Sequence, residues 1–216
     1  MRRSLLPCAV SLLLTACHPE TAMNQEITAA EQDVEQGGRG LAKLNPAPRQ
    51  AYEFVLRIDD APGPFTAIKG TAQYDVINEQ ECGRIVPATG RAGRISSQEP
   101  VELKKISDTE YQGTVYLDRM LDEDYYGRGV CQWQFSGAGA TLRATGAEGE
   151  TRFVSFIEAE RFVKGETETQ HYADLGYPRD VMDNYADYGK DSPEGFKPEL
   201  RDALFSVTLA GREAQP

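Results

Sequence analysis

The stretch Ile68-Lys69-Gly70-Thr71-Ala72-Gln73-Tyr74-Asp75-Val76 decides the fold class of this chain. Apolar or small residues alternate with polar ones along its whole length. This two-residue period is typical of a strand with one face in a core and the other in water. The glycine inside the stretch, Gly70, indicates a β-bulge or a close approach of another backbone. The stretch therefore predicts a half-buried strand.

The same period recurs on both sides of this strand. Tyr52, Phe54, Leu56 and Ile58 occupy every second position, and the turn sequence Ala61-Pro62-Gly63-Pro64 separates them from the first stretch. Further strands are predicted around Val101 and Leu103, over residues 111–117, 130–135 and 166–172, around Leu142 and Ala144, and over residues 205–209. About eight short strands joined by turns predict a mainly β chain, an antiparallel β-sandwich or barrel-like domain with one short helix.

The short helix is predicted between Ser155 and Gly165. Ser155 and Glu158 match the capping box that opens many helices, and Gly165 suits the helix exit. Ala159 and Val163 lie four residues apart, as neighbours on one helix face do.

The chain begins with a segment typical of export rather than of a fold. Arg2 and Arg3 precede an apolar run over residues 5–14, which is too short to span a bilayer as a permanent helix. The closing sequence Leu14-Thr15-Ala16-Cys17 resembles the lipobox of bacterial lipoproteins. That resemblance implies cleavage before Cys17, with lipids on its thiol and on the new amino terminus. The lipid is then the only expected attachment to the membrane, and the protein faces the periplasm.

Composition divides the remainder into two parts. Residues 17–50 are polar and lack an apolar period, which predicts a flexible lipidated tether between the signal of residues 1–16 and a β-rich globular domain over residues 51–212. His18 follows the lipid-bearing cysteine, where Asp commonly retains lipoproteins of enteric bacteria in the inner membrane. Because this chain has His18 instead of Asp at that position, the outer membrane is favoured over the inner one.

Cysteine usage agrees with an oxidising compartment. Cys8 lies in the signal and Cys17 carries the lipid, which leaves Cys82 and Cys131 as one expected disulfide. Two free thiols or a metal pair are the alternatives, and the chain's two histidines and lack of a Cys-x-x-Cys motif argue against zinc. The chain's single tryptophan, Trp133, lies beyond both cysteines, which does not fit an immunoglobulin domain.

The charge balance excludes one class of partner. The chain has 23 Lys and Arg against 34 Asp and Glu, a net charge of −11 that becomes −13 once Arg2 and Arg3 leave with the signal. Such a charge repels nucleic acid and anionic membrane surfaces, and it favours a basic partner. The simpler reading of the charge is solubility.

Motifs for catalysis are missing from the sequence. Only His171 is available as a histidine base in the globular part, and neither a nucleophile elbow nor a phosphate-binding glycine loop is present. We therefore expect a protein that is not an enzyme and carries no cofactor.

One acidic and aromatic stretch is the predicted partner-binding site: Asp122, Glu123, Asp124, Tyr125 and Tyr126. Tyrosines are enriched at the centres of protein interfaces, and the acids suit a basic partner. Two alternatives stay open for this stretch. The acids, together with Asp118, are candidates to bind calcium, or the tyrosines pack inward beneath a solvated loop.

Several phrases of the chain carry a resemblance to a known family: Asp60-Ala61-Pro62-Gly63-Pro64-Phe65, residues 108–114, residues 122–133, Ala144-Thr145-Gly146 and Glu150-Thr151-Arg152-Phe153. Together they resemble lipoproteins of xanthomonad-type bacteria that are found beside secreted interbacterial toxins, including lipase effectors, and are considered their immunity proteins. The resemblance implies that the chain binds and inhibits a toxic effector in the cell envelope, a lipase or a peptidoglycan hydrolase. A structural or assembly lipoprotein of the envelope is the alternative, followed by a β domain that binds a small ligand or acts as an enzyme.

Overall fold

A computed structural model describes residues 19–35 and 38–214 of the chain. The predicted signal and Cys17, the predicted site of lipid attachment, lie outside the described residues. The chain divides after Leu41 into an N-terminal unit and a β-rich body. The described part of the N-terminal unit contains α1 (Pro19–Glu35), whose end is closed by hydrogen bonds from the Gly38 and Gly40 N–H groups to Asp33.

The predicted tether is therefore not uniform. Part of it forms α1, a helix of 17 residues, which is longer than the one or two helical turns that the sequence of residues 27–35 indicates. The last residues of the predicted tether belong to the body, because Leu44 pairs with Met120 and the Asn45 N–H donates to the Arg119 carbonyl over 2.8 Å. The body accordingly begins at Ala42 rather than at Ala51.

The described residues of the body contain twelve strands and two short α-helices. They are β1 (Ala51–Asp59), β2 (Ala67–Val76), α2 (Glu79–Cys82), β3 (Ile85–Val86), β4 (Arg91–Ala92), β5 (Ser96–Val101), β6 (Lys104–Lys105), β7 (Glu110–Tyr116), β8 (Trp133–Arg143), β9 (Arg152–Glu158), α3 (Ala159–Val163), β10 (Thr167–Ala173), β11 (Ala186–Asp187) and β12 (Leu204–Glu213). Eight of these strands have six or more residues. The strands predicted over residues 130–135 and around Leu142 and Ala144 are one strand, β8.

Two five-stranded sheets form a sandwich. The first has the order β10-β12-β1-β7-β6 and the second the order β11-β9-β8-β2-β5, while β3 and β4 pair as a small separate hairpin. Pairing is antiparallel except between β11 and β9, which run parallel. The mainly β, sandwich-like fold predicted from the sequence is confirmed.

The core lies between the two sheets and follows the predicted alternation. Phe54, Leu56 and Val207 point inward from the first sheet, and Tyr74 and Ile157 meet them from the second; all are almost fully buried. At Gly70, a Cβ atom would lie 2.8 Å from the Val101 carbonyl oxygen. Of the two predicted reasons for this glycine, the close backbone approach is the correct one, since the register shift of β2 falls between Gln73 and Tyr74.

The predicted helix start is wrong. Ser155 lies inside β9, where its buried hydroxyl is 2.7 Å from the Tyr172 hydroxyl, and it caps nothing. The helix α3 begins only at Ala159, after Glu158, and lacks a side-chain cap. Burial of Phe153 and Ile157 on the core face extends the strand through the capping-box sequence. Gly165, at φ +72°, does form the predicted helix exit.

Residues 78–100, over which the sequence predicts no strand, contain all of β5 except its last residue, Val101. β5 alternates like the other strands, but Ser97 and Glu99 occupy its core-facing positions. The Ser97 hydroxyl donates to the Glu99 carboxylate over 2.7 Å, so the two polar groups partner each other in the interior. A polar inward face at the sheet edge leaves no apolar period to detect.

Candidate functional site

The Cys82–Cys131 disulfide organises the region of the predicted partner-binding site. The two sulfurs are bonded at 2.09 Å, and both cysteines are fully buried. Val76 completes a small core with them, and the partly buried Ile95, Tyr125, Tyr126 and Trp133 pack around it. Trp133, which shares the alternating face of Cys131 in the sequence, therefore lies beside the disulfide and is half-buried.

Residues 121–131, which we call the acidic loop, use their carboxylates internally. The Trp133 N–H donates to Asp122 over 2.8 Å, and Glu123 pairs with the Lys43 ammonium group at 2.6 Å. The Arg128 N–H donates to Asp124 over 3.0 Å. Each acid therefore holds a piece of the protein's own chain.

The pKa of Asp124 reports how closely its own loop surrounds it. Partial desolvation alone would raise the pKa of this carboxyl group. Hydrogen bonds from the backbone N–H groups of residues 126–129 outweigh that effect and hold the pKa below its ordinary value. The carboxylate therefore stabilises the turn of the acidic loop as well as contributing surface charge.

Tyr125 faces inward. Its hydroxyl donates to the Leu121 carbonyl and accepts from the Lys43 N–H at 3.4 Å, and burial raises its pKa. Tyr126 packs against the same disulfide cluster. This arrangement corresponds to the alternative in which the tyrosines lie beneath the loop, and partner binding at these five residues stays a prediction.

Two further side chains fasten the acidic loop to the neighbouring segment around α2. Asn78 donates to the Val130 carbonyl over 2.9 Å and accepts from the Gln132 N–H over 2.8 Å. The Arg128 guanidinium group donates to the Gly83 carbonyl. With the disulfide, these bonds make residues 121–131 a braced structural element.

The calcium alternative receives no support from the arrangement of these acids. Asp118 accepts hydrogen bonds from the Arg49 and Gln50 N–H groups. None of these partners is shared with the other three acids. Among the described residues, no group of three or more His, Cys, Asp or Glu side chains is placed to hold a metal ion.

An open cleft of about 700 Å³ lies beside the acidic loop. The apolar part of the cleft is lined by Met120, Trp133, Phe135 and Val163, and Asp122 also lines the cleft. The lining also includes the charged residues Asp118, Glu160 and Lys164, so the cleft combines apolar and charged groups. The Asp122 carboxylate already accepts from the Trp133 N–H.

His171, the one histidine considered as a base, lies on β10. Its backbone pairs with Lys190 through hydrogen bonds of 2.8 and 2.9 Å.

The buried carboxylate Glu150 has a structural environment of its own. It accepts from the Thr145 hydroxyl over 2.7 Å and from backbone N–H groups of the adjoining turn, and these bonds hold its pKa below the ordinary value.

A second loop has the opposite character, and the sequence reading did not single it out as a site. Residues 175–188, which we call the apolar loop, carry large apolar side chains in water: Leu175 is 79% exposed, Val181 101%, Met182 60% and Tyr188 68%. Tyr185 is also exposed. The sequence offers one signal for such a site: this Asp-rich segment contains large apolar residues that follow neither a strand period nor a helix period.

The base of the apolar loop is held firmly even though its tip is exposed. The Arg152 N–H donates to the Tyr185 carbonyl over 2.8 Å, and the Thr151 N–H donates to the Pro178 carbonyl over 3.1 Å. The Thr151 hydroxyl donates to the Gly176 carbonyl over 2.6 Å. At the start of the loop, Tyr177 packs edge-on against Phe65 with ring centroids 5.3 Å apart.

Comparison of the chain with protein-family models, curated proteins and solved structures gives no match. Within the residues that the structure describes, the helices fall short of the length and apolar character that crossing a membrane requires.

Proposed function

We propose that this chain is a lipid-anchored, periplasm-facing immunity protein that binds and inhibits a toxic secreted effector, a lipase or a peptidoglycan hydrolase acting in the envelope. The observation that carries the proposal is the apolar loop. Val181 is fully exposed, and Leu175, Met182 and Tyr188 are more than half exposed, on a braced β-sandwich frame. Large apolar side chains grouped on a surface mark protein-interaction sites.

The charge of the chain supports a basic protein as the partner. A net charge of −11 attracts a cationic surface, accelerates encounter with it and disfavours nucleic acid. An inhibitor that must meet an incoming toxin before damage occurs benefits from a high association rate. Steering by charge supplies that rate without requiring new contacts.

The proposed lipid on Cys17 gives the inhibitor its location. An anchor concentrates the protein at the envelope, with the outer membrane favoured, where a lipase or a peptidoglycan hydrolase would act. Replacing Cys17 by Ser removes the acceptor thiol, so the variant should remain unlipidated. The anchor would be refuted if, in the native strain, the protein had wild-type mobility without a lipid and globomycin did not affect its processing.

The alternative is a structural or assembly lipoprotein of the envelope that binds endogenous machinery through the same exposed side chains. The two functions differ in when the protein is needed. Deleting the gene should matter to an immunity protein only when the toxin arrives or is produced in the periplasm. An assembly protein is needed continuously.

Co-culture of a deletion strain with its toxin-delivering parent tests the proposal. We expect the deletion strain to lose viability beside the parent, to grow normally alone, and to recover when the wild-type gene is returned. A growth or permeability defect without any attacker would favour the assembly role. The gene next to this one provides a quick check, because a secreted lipase or muramidase there supports immunity.

A further inference from the structure

We propose that the apolar loop is the toxin-binding surface and that its tip, Val181 and Met182 with Tyr185, inserts into an apolar cleft bordered by Lys or Arg. This inference rests on the proposed immunity function and adds the surface and the chemistry of the partner. The sequence reading had placed the contact at Asp122–Tyr126.

The exposure of the tip points to an occupant outside the chain. Val181 is 101% exposed and Met182 60% exposed, so their apolar surface is in contact with water in the free protein. The Tyr185 N–H donates to the Met182 carbonyl over 3.2 Å, which keeps the three residues in one turn. Insertion into a cleft would remove this apolar area from water, and that is a main source of affinity at interfaces.

The tip is also shaped before binding. The Met182 N–H donates to the Asp180 carboxylate over 3.2 Å, and the Asp180 N–H donates to the Thr151 hydroxyl over 2.8 Å. The Asn184 N–H donates to the Gly149 carbonyl over 3.2 Å. These bonds hold the backbone of the tip in one turn before binding, which lowers the cost of ordering that backbone in the complex.

The charges around the tip define the rim of the partner's cleft. Glu148 is exposed beside the loop, and the Arg179 guanidinium group donates to its backbone carbonyl over 2.6 Å. Asp183, also exposed, lies 3.4 Å from the same guanidinium group. Asp180 adds a third acid, and the Arg152 guanidinium group, which donates to the Asn184 carbonyl over 3.3 Å, adds a second cation to Arg179. The three acids outnumber the two cations, so the complementary rim is positively charged.

Protection in co-culture measures the contribution of the tip. The deletion strain should carry the wild-type gene, the double variant Val181→Ser/Met182→Ser, or the control Ile106→Ser. Ile106 is 55% exposed next to β6, and β6 is the edge strand opposite β10 in the first sheet. The control therefore removes a comparable apolar side chain at the other edge of the sandwich. Immunoblots and melting curves establish that each variant is present and folded.

We expect the double variant to bind the toxin at least about tenfold more weakly, the scale of an interface hot spot, and therefore to lower survival beside the attacker, while Ile106→Ser protects like the wild type. Equal protection by the double variant would overturn the inference and leave the immunity function standing. Failure of the wild-type gene to protect would overturn both.

A second measurement does not depend on the stability of the double variant. A photo-cross-linking amino acid at position 181 should form an adduct with the delivered toxin in attacked cells, whereas the same group at position 106 should not. An adduct at position 106 alone would place the interface at the β6 edge of the sandwich and overturn the inference.

The rim is tested through charge. Asp183→Asn with Glu148→Gln should slow association with the purified toxin about threefold to tenfold and flatten its dependence on salt concentration. Asp108→Asn is the matched control, since Asp108 is an exposed acid in the turn between β6 and β7. Unchanged rate and salt dependence in the double rim variant would contradict a basic cleft.

Discussion

The acidic loop and the apolar loop have similar compositions and opposite constructions. Both combine aspartates with tyrosines, yet Tyr125 packs toward the disulfide with its hydroxyl bonded, whereas Tyr188 is 68% exposed. The acidic loop is fixed by side chains drawn inward. The apolar loop is fixed at its base by backbone hydrogen bonds and by the Thr151 hydroxyl, and its tip is left in water. Composition alone therefore identifies neither an interface nor a structural loop.

The largest expected effect falls on the acidic loop. Replacing Cys82 and Cys131 by Ser removes a crosslink between residues 49 positions apart, for which chain entropy predicts a loss of about 4 kcal/mol in the free energy of unfolding. Urea titration measures that loss. Hydrogen exchange should increase in residues 121–131 more than in residues 175–188, and the reverse order would contradict the assigned braces.

Tyr125→Ala against Tyr188→Ala sharpens the comparison at a single side chain. Loss of the partly buried Tyr125 ring and its hydrogen bond to Leu121 should cost about 2 kcal/mol, or about 4 to 8 °C in melting temperature. Tyr188→Ala should change stability by less than about 0.5 kcal/mol. Differential scanning calorimetry of the two variants decides it, and equal melting temperatures would show that both rings are exposed.

Glu150 gives the frame next to the apolar loop a pH dependence. Its pKa is lowered in the folded protein, so its stabilisation is complete above the unfolded value of about 4.3 and is lost as the pH falls through the folded value. Glu150→Gln should cost about 1 to 2 kcal/mol at neutral pH. The variant should lose less stability than the wild type as the pH falls below about 4.3, measured by urea titration at each pH; parallel losses would exclude Glu150 as the cause.

The smallest effect is expected at the surface pair of the acidic loop. Lys43 and Glu123 are 62% and 38% exposed, and such pairs contribute less than about 1 kcal/mol. Glu123→Gln should lower the melting temperature only slightly, and added salt should abolish the difference. A larger, salt-independent loss would show that Glu123 has a buried structural role.

Most of the fold could be predicted because its strands repeat apolar residues at every second position, as β1, β2 and β12 do. β5 could not be predicted, because Ser97 and Glu99 partner each other on its inward face. The capping-box sequence around Ser155 failed for a related reason. Local helix signals there compete with the burial of Phe153 and Ile157, and tertiary packing decides the outcome.

The candidate site could be predicted less well. Cysteine pairing followed from counting cysteines, but the direction of Tyr125 depends on the disulfide core that the folded chain forms around it. The exposure of Val181 depends on hydrogen bonds from β9 and its flanking residues, which lie about 30 positions earlier in the sequence. Neither relation leaves a local pattern in the sequence.

The most direct measurement compares Tyr125→Ala with Val181→Ser/Met182→Ser for both melting temperature and protection in co-culture. The account predicts that Tyr125→Ala melts about 4 to 8 °C lower yet protects fully while it remains folded. The double tip variant should melt like the wild type and lose protection. A double tip variant that still protects, beside a Tyr125→Ala protein that is stable and fails to protect, would contradict the account and return the interface to the acidic loop.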